Sequence, residues 1–102
     1  MKRGEVWWYE EPDEARHPVL IIGRNEDTAR LSVVIAIPIT TRIRGWDTEL
    51  LLGTTDGMSR DCVLTLHNTF LAYKIYLTGH VTTLDSVRMT KVCRMLAVAT
   101  SC

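Results

Sequence analysis

Thr40, Thr41, Arg42 and Arg44 crowd the end of the apolar run Ile35–Ile39, just ahead of Gly45. Two hydroxyls and two guanidinium groups so close together suit the holding of phosphate oxygens. A threonine hydroxyl donates to a non-bridging oxygen without adding a titrating group. Arg42 and Arg44 are two apart, so in extended chain they project to the same side, and Gly45 lets the backbone turn away. The same residues also read as β-favouring threonines at a strand end, followed by a solvated arginine loop. Trp46 comes next, and an indole in such a loop can stack on an unpaired base. Elsewhere the chemistry rests on three histidines, His17, His67 and His80. If His17 and His67 reach one cleft, a neutral and a protonated imidazole divide base and acid roles near neutral pH. Two unrelated surface histidines are the alternative. Asn68, beside His67, either reads a base edge or forms a turn, and His80 reads as structural or surface.

These groups need elements to hold them. Alternation in "GEVWWYE" makes a first strand, with Val6 and Trp8 on one face and Trp7 and Tyr9 on the other. One of the two tryptophans is thereby expected in the core. "EEPDEAR" is an exposed acidic loop, and "HPVLIIG" is a second strand whose proline sits at a tolerated early position. "RNEDTAR" is a turn or a single helical turn. "LSVVIAIPIT" is the strongest strand, with Pro38 predicting an edge or a bulge near its end. "TELLLG" returns, "TTDGMSRD" is a loop, "CVLTLHN" is a further strand, and "TFLAYKIYLTGHVTT" is extended.

The last segment changes period. Leu84, Met89, Val92, Cys93 and Leu96 recur at helical spacing behind Asp85, an N-cap whose carboxylate accepts from a first-turn amide. Leu84 and Met89 make a hydrophobic staple, and Arg88, Lys91 and Arg94 are expected on the solvated face. The residues thus describe a mainly antiparallel β domain closed by one amphipathic C-terminal helix.

Whole-chain properties bound the function. At 102 residues the chain is read as one domain spanning 1–102, with 46% apolar and 24% charged residues, ordinary for a globular protein. Twelve basic residues balance twelve acidic ones, so a polyanionic partner must be met by a local patch. Cys62, Cys93 and Cys102 form no Cys-x-x-Cys pair and read as reduced thiols, with neither a zinc site nor a disulfide framework. No signal peptide and no run of about 20 apolar residues is present, which points to the cytosol and away from a membrane.

In their order, "RGEVWW", "PVLII", "PITT", "RG" followed by "TEL", "DCV", "HNT" and the capped last helix resemble the MazF/PemK family of toxin endoribonucleases over nearly the whole chain. The resemblance implies a small SH3-like antiparallel barrel of the PemK/CcdB type with a C-terminal helix. It also implies a homodimer that cuts single-stranded RNA without metal or cofactor and is held inactive by a cognate antitoxin. Attack by the ribose 2′-hydroxyl then leaves a 2′,3′-cyclic phosphate and a 5′-hydroxyl. By the same resemblance Thr40 touches the scissile phosphate, while Thr41, Arg42, Arg44, Trp46 and Asn68 are candidates to bind RNA.

Two departures stand out. Family members usually carry arginine immediately before "PVL", where this chain has His17 and the arginine is Arg16, one place earlier. One step along a strand reverses a side chain, so Arg16 serves only if the loop re-aims it. Where relatives carry an acidic residue before an amide, this chain has His67 before Asn68. The catalytic candidates are therefore Arg16, His17, Thr40 and His67. Other classes compatible with the fold are a non-catalytic toxin of the gyrase-poison branch and a catalytically impaired RNA-binding relative.

Overall fold

The computed structural model describes residues 1–102. Strands β1 (Glu5–Tyr9), β2 (His17–Ile21), β3 (Val33–Thr40), β4 (Glu49–Leu52), β5 (Cys62–Thr65), β6 (Phe70–Tyr73) and β7 (Leu77–Thr83) form one antiparallel sheet. Helix α1 (Asn25–Arg30) joins β2 to β3, and helix α2 (Ser86–Thr100) ends the chain. The strand order is β4-β5-β3-β2-β1-β7, with β6 also paired to β3. The sheet curls without closing, since β4 and β7 remain its two ends, and α2 packs on β4 and on the turn Leu66–Asn68.

Alternation divides the core into two. Val6, Leu20, Ile37, Ile39, Leu52 and Leu64 face one side, where Leu84 and Val92 of the α2 region complete the packing. Tyr9, Val19, Ile21, Val34 and Ala36 face the other, with Trp7 and Phe70 packed over them. In β1 the fully buried side chains are Val6 and Tyr9, whereas Trp7 and Trp8 are both half-buried. The expectation that one tryptophan lies in the core is corrected accordingly. The period of two is right, and the strand's ends rather than its middle go under.

Strand β3 is central, not an edge, because β2 lies on one flank and β6 then β5 on the other. Pro38 stands where the partner changes: pairing to β6 ends at Ala36 and pairing to β5 begins at Ile39. A residue without an amide hydrogen is tolerated in that gap, and the Thr65 hydroxyl donates to its carbonyl at 2.9 Å. The strand expected over residues 62–68 stops at Thr65, and Leu66–Asn68 form a 3₁₀ turn closed by the Thr69 hydroxyl donating to the Leu66 carbonyl.

The cap of α2 is as expected, with Asp85 Oδ1 accepting from the Arg88 amide at 2.8 Å. Two face assignments on this helix are corrected. Cys93 is exposed rather than part of the buried stripe. Arg88 is drawn in to a bidentate pair with the buried Asp56 carboxylate, at 2.8 and 3.1 Å. Helical periodicity places a side chain on a face, but a long arginine at the boundary follows its partner.

Candidate functional site

A cleft of about 510 Å³ opens where the β1–β2 loop, the end of β3 and the segment before β5 meet. Arg16, Thr40 and Thr41 line it, together with Trp8, Ser59 and Arg60. No carboxylate lines it, and neither Arg16 nor Arg60 has an ion-pair partner. In a chain whose charges balance, two unneutralised guanidinium groups beside three hydroxyls make a local positive field suited to a phosphodiester.

Each cleft residue has a local cause. β2 begins at His17, so Arg16 precedes the ladder and escapes the strand alternation that would set it on the wrong side. Asp13 at φ 64° turns the loop behind it, and Arg16 lies 4.0 Å over the ring of Trp8, a cation–π contact that fixes a long side chain without cancelling its charge. Thr40 is the last residue of β3. Its Oγ1 accepts from the Arg42 amide at 3.2 Å, which leaves the hydroxyl hydrogen free to donate into the cleft.

Ser59 and Arg60 are not singled out by the sequence, since "TTDGMSRD" shows only loop composition. The fold raises them: Gly57, at φ 89°, turns the chain so that Met58 is buried and the next two residues reach the cleft. A side chain at Gly57 would meet Thr82, its Cβ 2.8 Å from Thr82 Cβ. Cys62 also lines the cleft, but burial, aided by Asp56 and Asp61, raises its pKa and keeps it a neutral thiol.

His17 borders the cleft, yet its side chain faces elsewhere. It pairs across the ladder with Tyr9, shares the face of Val19 and Ile21, and its ring packs on Tyr9 at 5.8 Å between centroids. His67 lies in a different neighbourhood, 5.2 Å from the Trp46 ring, with Nδ1 hydrogen-bonded to the Thr48 hydroxyl at 2.8 Å. Within one protomer the two imidazoles have different neighbours, so one chain alone does not assemble an acid–base pair from them.

The remaining candidates gather around His67. Arg44 lies 5.1 Å from the Trp46 ring and 3.8 Å from Glu49 Oε2, a place set by these local partners rather than by strand alternation. The ladder ends at Thr40 and strand alternation ends with it. Arg42 is exposed and unpaired, and Asn68 is exposed in the turn beside His67. His80 bonds the Thr83 hydroxyl at 2.9 Å and stacks edge-on with Trp7, a structural position. No group of three or more His, Cys, Asp or Glu residues is placed to hold a metal ion, and no helix is long and apolar enough to cross a membrane.

The family of PemK-like, MazF-like toxins of type II toxin–antitoxin systems matches residues 2–100, and the chain belongs to it. Among curated relatives it is 33% identical over 101 residues to a probable endoribonuclease, MazF5, of Mycobacterium tuberculosis, covering 98% of this chain and 93% of that one. A second, the probable endoribonuclease MazF2 of the same organism, is 29% identical over the full length of both. The fold agrees with that of the M. tuberculosis toxin MazF-mt6, with TM-score 0.86, 23% identity, and 95% and 96% of the two chains covered. It agrees equally with a mycobacterial endoribonuclease solved in complex with its cognate antitoxin, with TM-score 0.87, 23% identity, and 99% and 95% covered.

Proposed function

We propose that this chain is the toxin of a type II toxin–antitoxin module and an endoribonuclease that cuts single-stranded RNA by attack of the ribose 2′ oxygen. The observation that carries the reading is the carboxylate-free cleft in which Arg16, Thr40 and Arg60 converge, in a chain of the MazF-like family. In the reaction the 2′ oxygen bonds to phosphorus as its proton departs. The bond from phosphorus to the 5′ oxygen breaks, and that oxygen takes up a proton. Negative charge grows on the non-bridging oxygens, where preformed donors act most strongly. Arg16 and the Thr40 hydroxyl are the donors assigned to those oxygens, with Arg60 on the adjoining phosphate. Arg16 takes the place of the family arginine in preference to His17, whose ring lies on the opposite face. Thr41 and Arg42 extend the same wall along the RNA backbone.

The chemistry assigned to the cleft uses no imidazole: the 2′ proton passes to solvent and the cleft residues act by stabilising charge. The chain acts in the cytoplasm as a homodimer. Its antitoxin presents a basic segment to the exposed acidic loop Glu10–Glu14 and silences the enzyme. The test is incubation of purified protein with a mixed single-stranded RNA in EDTA, followed by end-group analysis. Fragments ending in 2′,3′-cyclic phosphate, abolished in Thr40→Ala, are expected. RNA bound but left intact by excess protein would reduce the chain to a binding toxin.

A further inference from the structure

Glu49 is an odd residue to bury at the start of a strand. Its side chain is 2% exposed, and no cation meets it at hydrogen-bond distance. Its Oε1 instead accepts from three successive backbone amides, those of Arg44 and Gly45 at 2.9 Å and Trp46 at 3.4 Å. One buried carboxylate thus holds the whole turn 44–46, with Gly45 at φ 75° supplying a conformation other residues resist. Such a nest fixes the loop far more firmly than an exposed connection needs.

What the turn holds out is an indole. Trp46 is 52% exposed, a large apolar surface in solvent yet not a floppy one. His67 packs on it at 5.2 Å and is itself locked by Thr48, while the Arg44 guanidinium lies 5.1 Å from the ring. An aromatic face flanked by a guanidinium and an imidazole, all held before any ligand arrives, is a surface on which a flat π-system stacks, on the indole or on the guanidinium plane. The hydrogen bond to Nδ1 leaves His67 Nε2 free for a base edge or a phosphate.

We infer that Trp46, Arg44 and His67 form a preorganised stacking platform for one unpaired RNA base, with Glu49 and Thr48 as its positioning residues. The inference rests on the ribonuclease reading and adds a subsite to it. Trp46 stands six positions after Thr40, a reach of at most about 20 Å, so the base belongs to a nucleotide within a few of the cut. His67 thereby takes a binding role in place of the acid–base role expected from sequence. Because every base has a π-face, the platform sets the footprint and the register of the RNA, leaving base identity to polar groups such as Asn68.

The experiment uses full-length protein, a fluorescent single-stranded RNA that the unaltered protein cleaves, and steady-state kinetics with Trp46→Ala and Trp46→Phe. Trp46→Ala is expected to raise KM about 10-fold or more, the scale of removing one stacked base, with Trp46→Phe restoring most of the loss. RNA should quench tryptophan emission in the unaltered protein, and the quench should shrink in Trp46→Phe. His67→Ala should likewise raise KM and leave the pH profile unchanged in shape. Cleavage by all variants with unmoved KM and undiminished quenching would overturn the platform while leaving the ribonuclease standing. Neither binding nor cleavage by the unaltered protein would remove both.

Discussion

The Arg16 guanidinium lies 4.0 Å over the Trp8 ring, and that one contact aims a loop arginine into a cleft where it meets no carboxylate. Removing the donor and removing its support should therefore differ in size. Arg16→Ala is expected to lower kcat for RNA cleavage by about 100-fold, the usual loss for one donor to a developing oxyanion. Trp8→Leu should cost only a few-fold, in line with an exposed cation–π contact of about 0.5–1 kcal/mol. Equal effects in single-turnover assays would mean that Trp8 does more than hold Arg16.

Arg60 should behave differently from Arg16. Assigned to a neighbouring phosphate, it contributes to affinity, and Arg60→Ala should weaken RNA binding while leaving kcat within a few-fold. On a single strand, giving up one cation at a phosphate flattens the dependence of log affinity on log salt by about 0.7. Titrations of labelled RNA at several salt concentrations read this directly, and an unchanged slope would take Arg60 off the phosphate.

How much of this was legible in the sequence depends on whether a residue's place is set locally. Asp85 as the cap of α2, Thr40 at the end of β3 and the alternation of β1 follow from short-range rules, and all are found in the structure. The misplacements are residues whose partners are distant in sequence. Arg88 follows Asp56, 32 positions away. Pro38 sits at an exchange of partner strands that no local pattern marks. Ser59 and Arg60 become candidates only when the fold carries a nondescript loop to the cleft. Arg16 is legible as an alternative but not as a choice, because its direction depends on where the β2 ladder begins.

The separation of His17 from His67 bears on pH. With the His17 imidazole against Tyr9, His17→Gln should leave the shape of the pH–rate profile unchanged across the neutral range, about pH 5.5 to 8.5, in which histidines serve as acids or bases. Cleavage should rise steadily with pH as the 2′ proton is lost to solvent. A bell whose limb disappears in His17→Gln would restore the histidine as an acid or base.

Glu49 gives a second, separate pH signature. Burial pushes its carboxyl pKa up, but the amides of Arg44, Trp46 and Gly45, with the Arg44 charge, outweigh burial and hold it below its ordinary 4.5. For a depressed carboxyl the stabilisation of the turn is complete above that ordinary value and is lost as pH falls through the lower folded value. Trp46 emission should thus show a step below about pH 4.5 that belongs to Glu49. Glu49→Gln, which cannot titrate, should lack this acid step and show a raised KM at neutral pH. An acid step of unchanged size in the variant would locate the transition elsewhere.

The Asp56–Arg88 pair ties the segment that carries Arg60 to α2. Asp56 is 7% and Arg88 29% exposed at the side chain, and Asp56 Oδ2 also accepts from the Gly53 amide at 3.0 Å. Burial raises the Asp56 pKa, yet the Arg88 hydrogen bonds, the Gly53 amide and the Arg88 charge together bring it below its ordinary 3.8. Arg88→Ala strands a buried carboxylate and should destabilise the protein by about 2–3 kcal/mol at neutral pH. The loss should shift the urea midpoint without changing the slope. Because the pair's contribution disappears as pH falls through the depressed Asp56 value, the gap between variant and unaltered protein should narrow below about pH 3.8. Asp56→Asn with Arg88→Met, which removes both charges, should recover part of the stability. If it recovers stability without recovering RNA affinity, the pair also sets the position of Arg60 at the cleft.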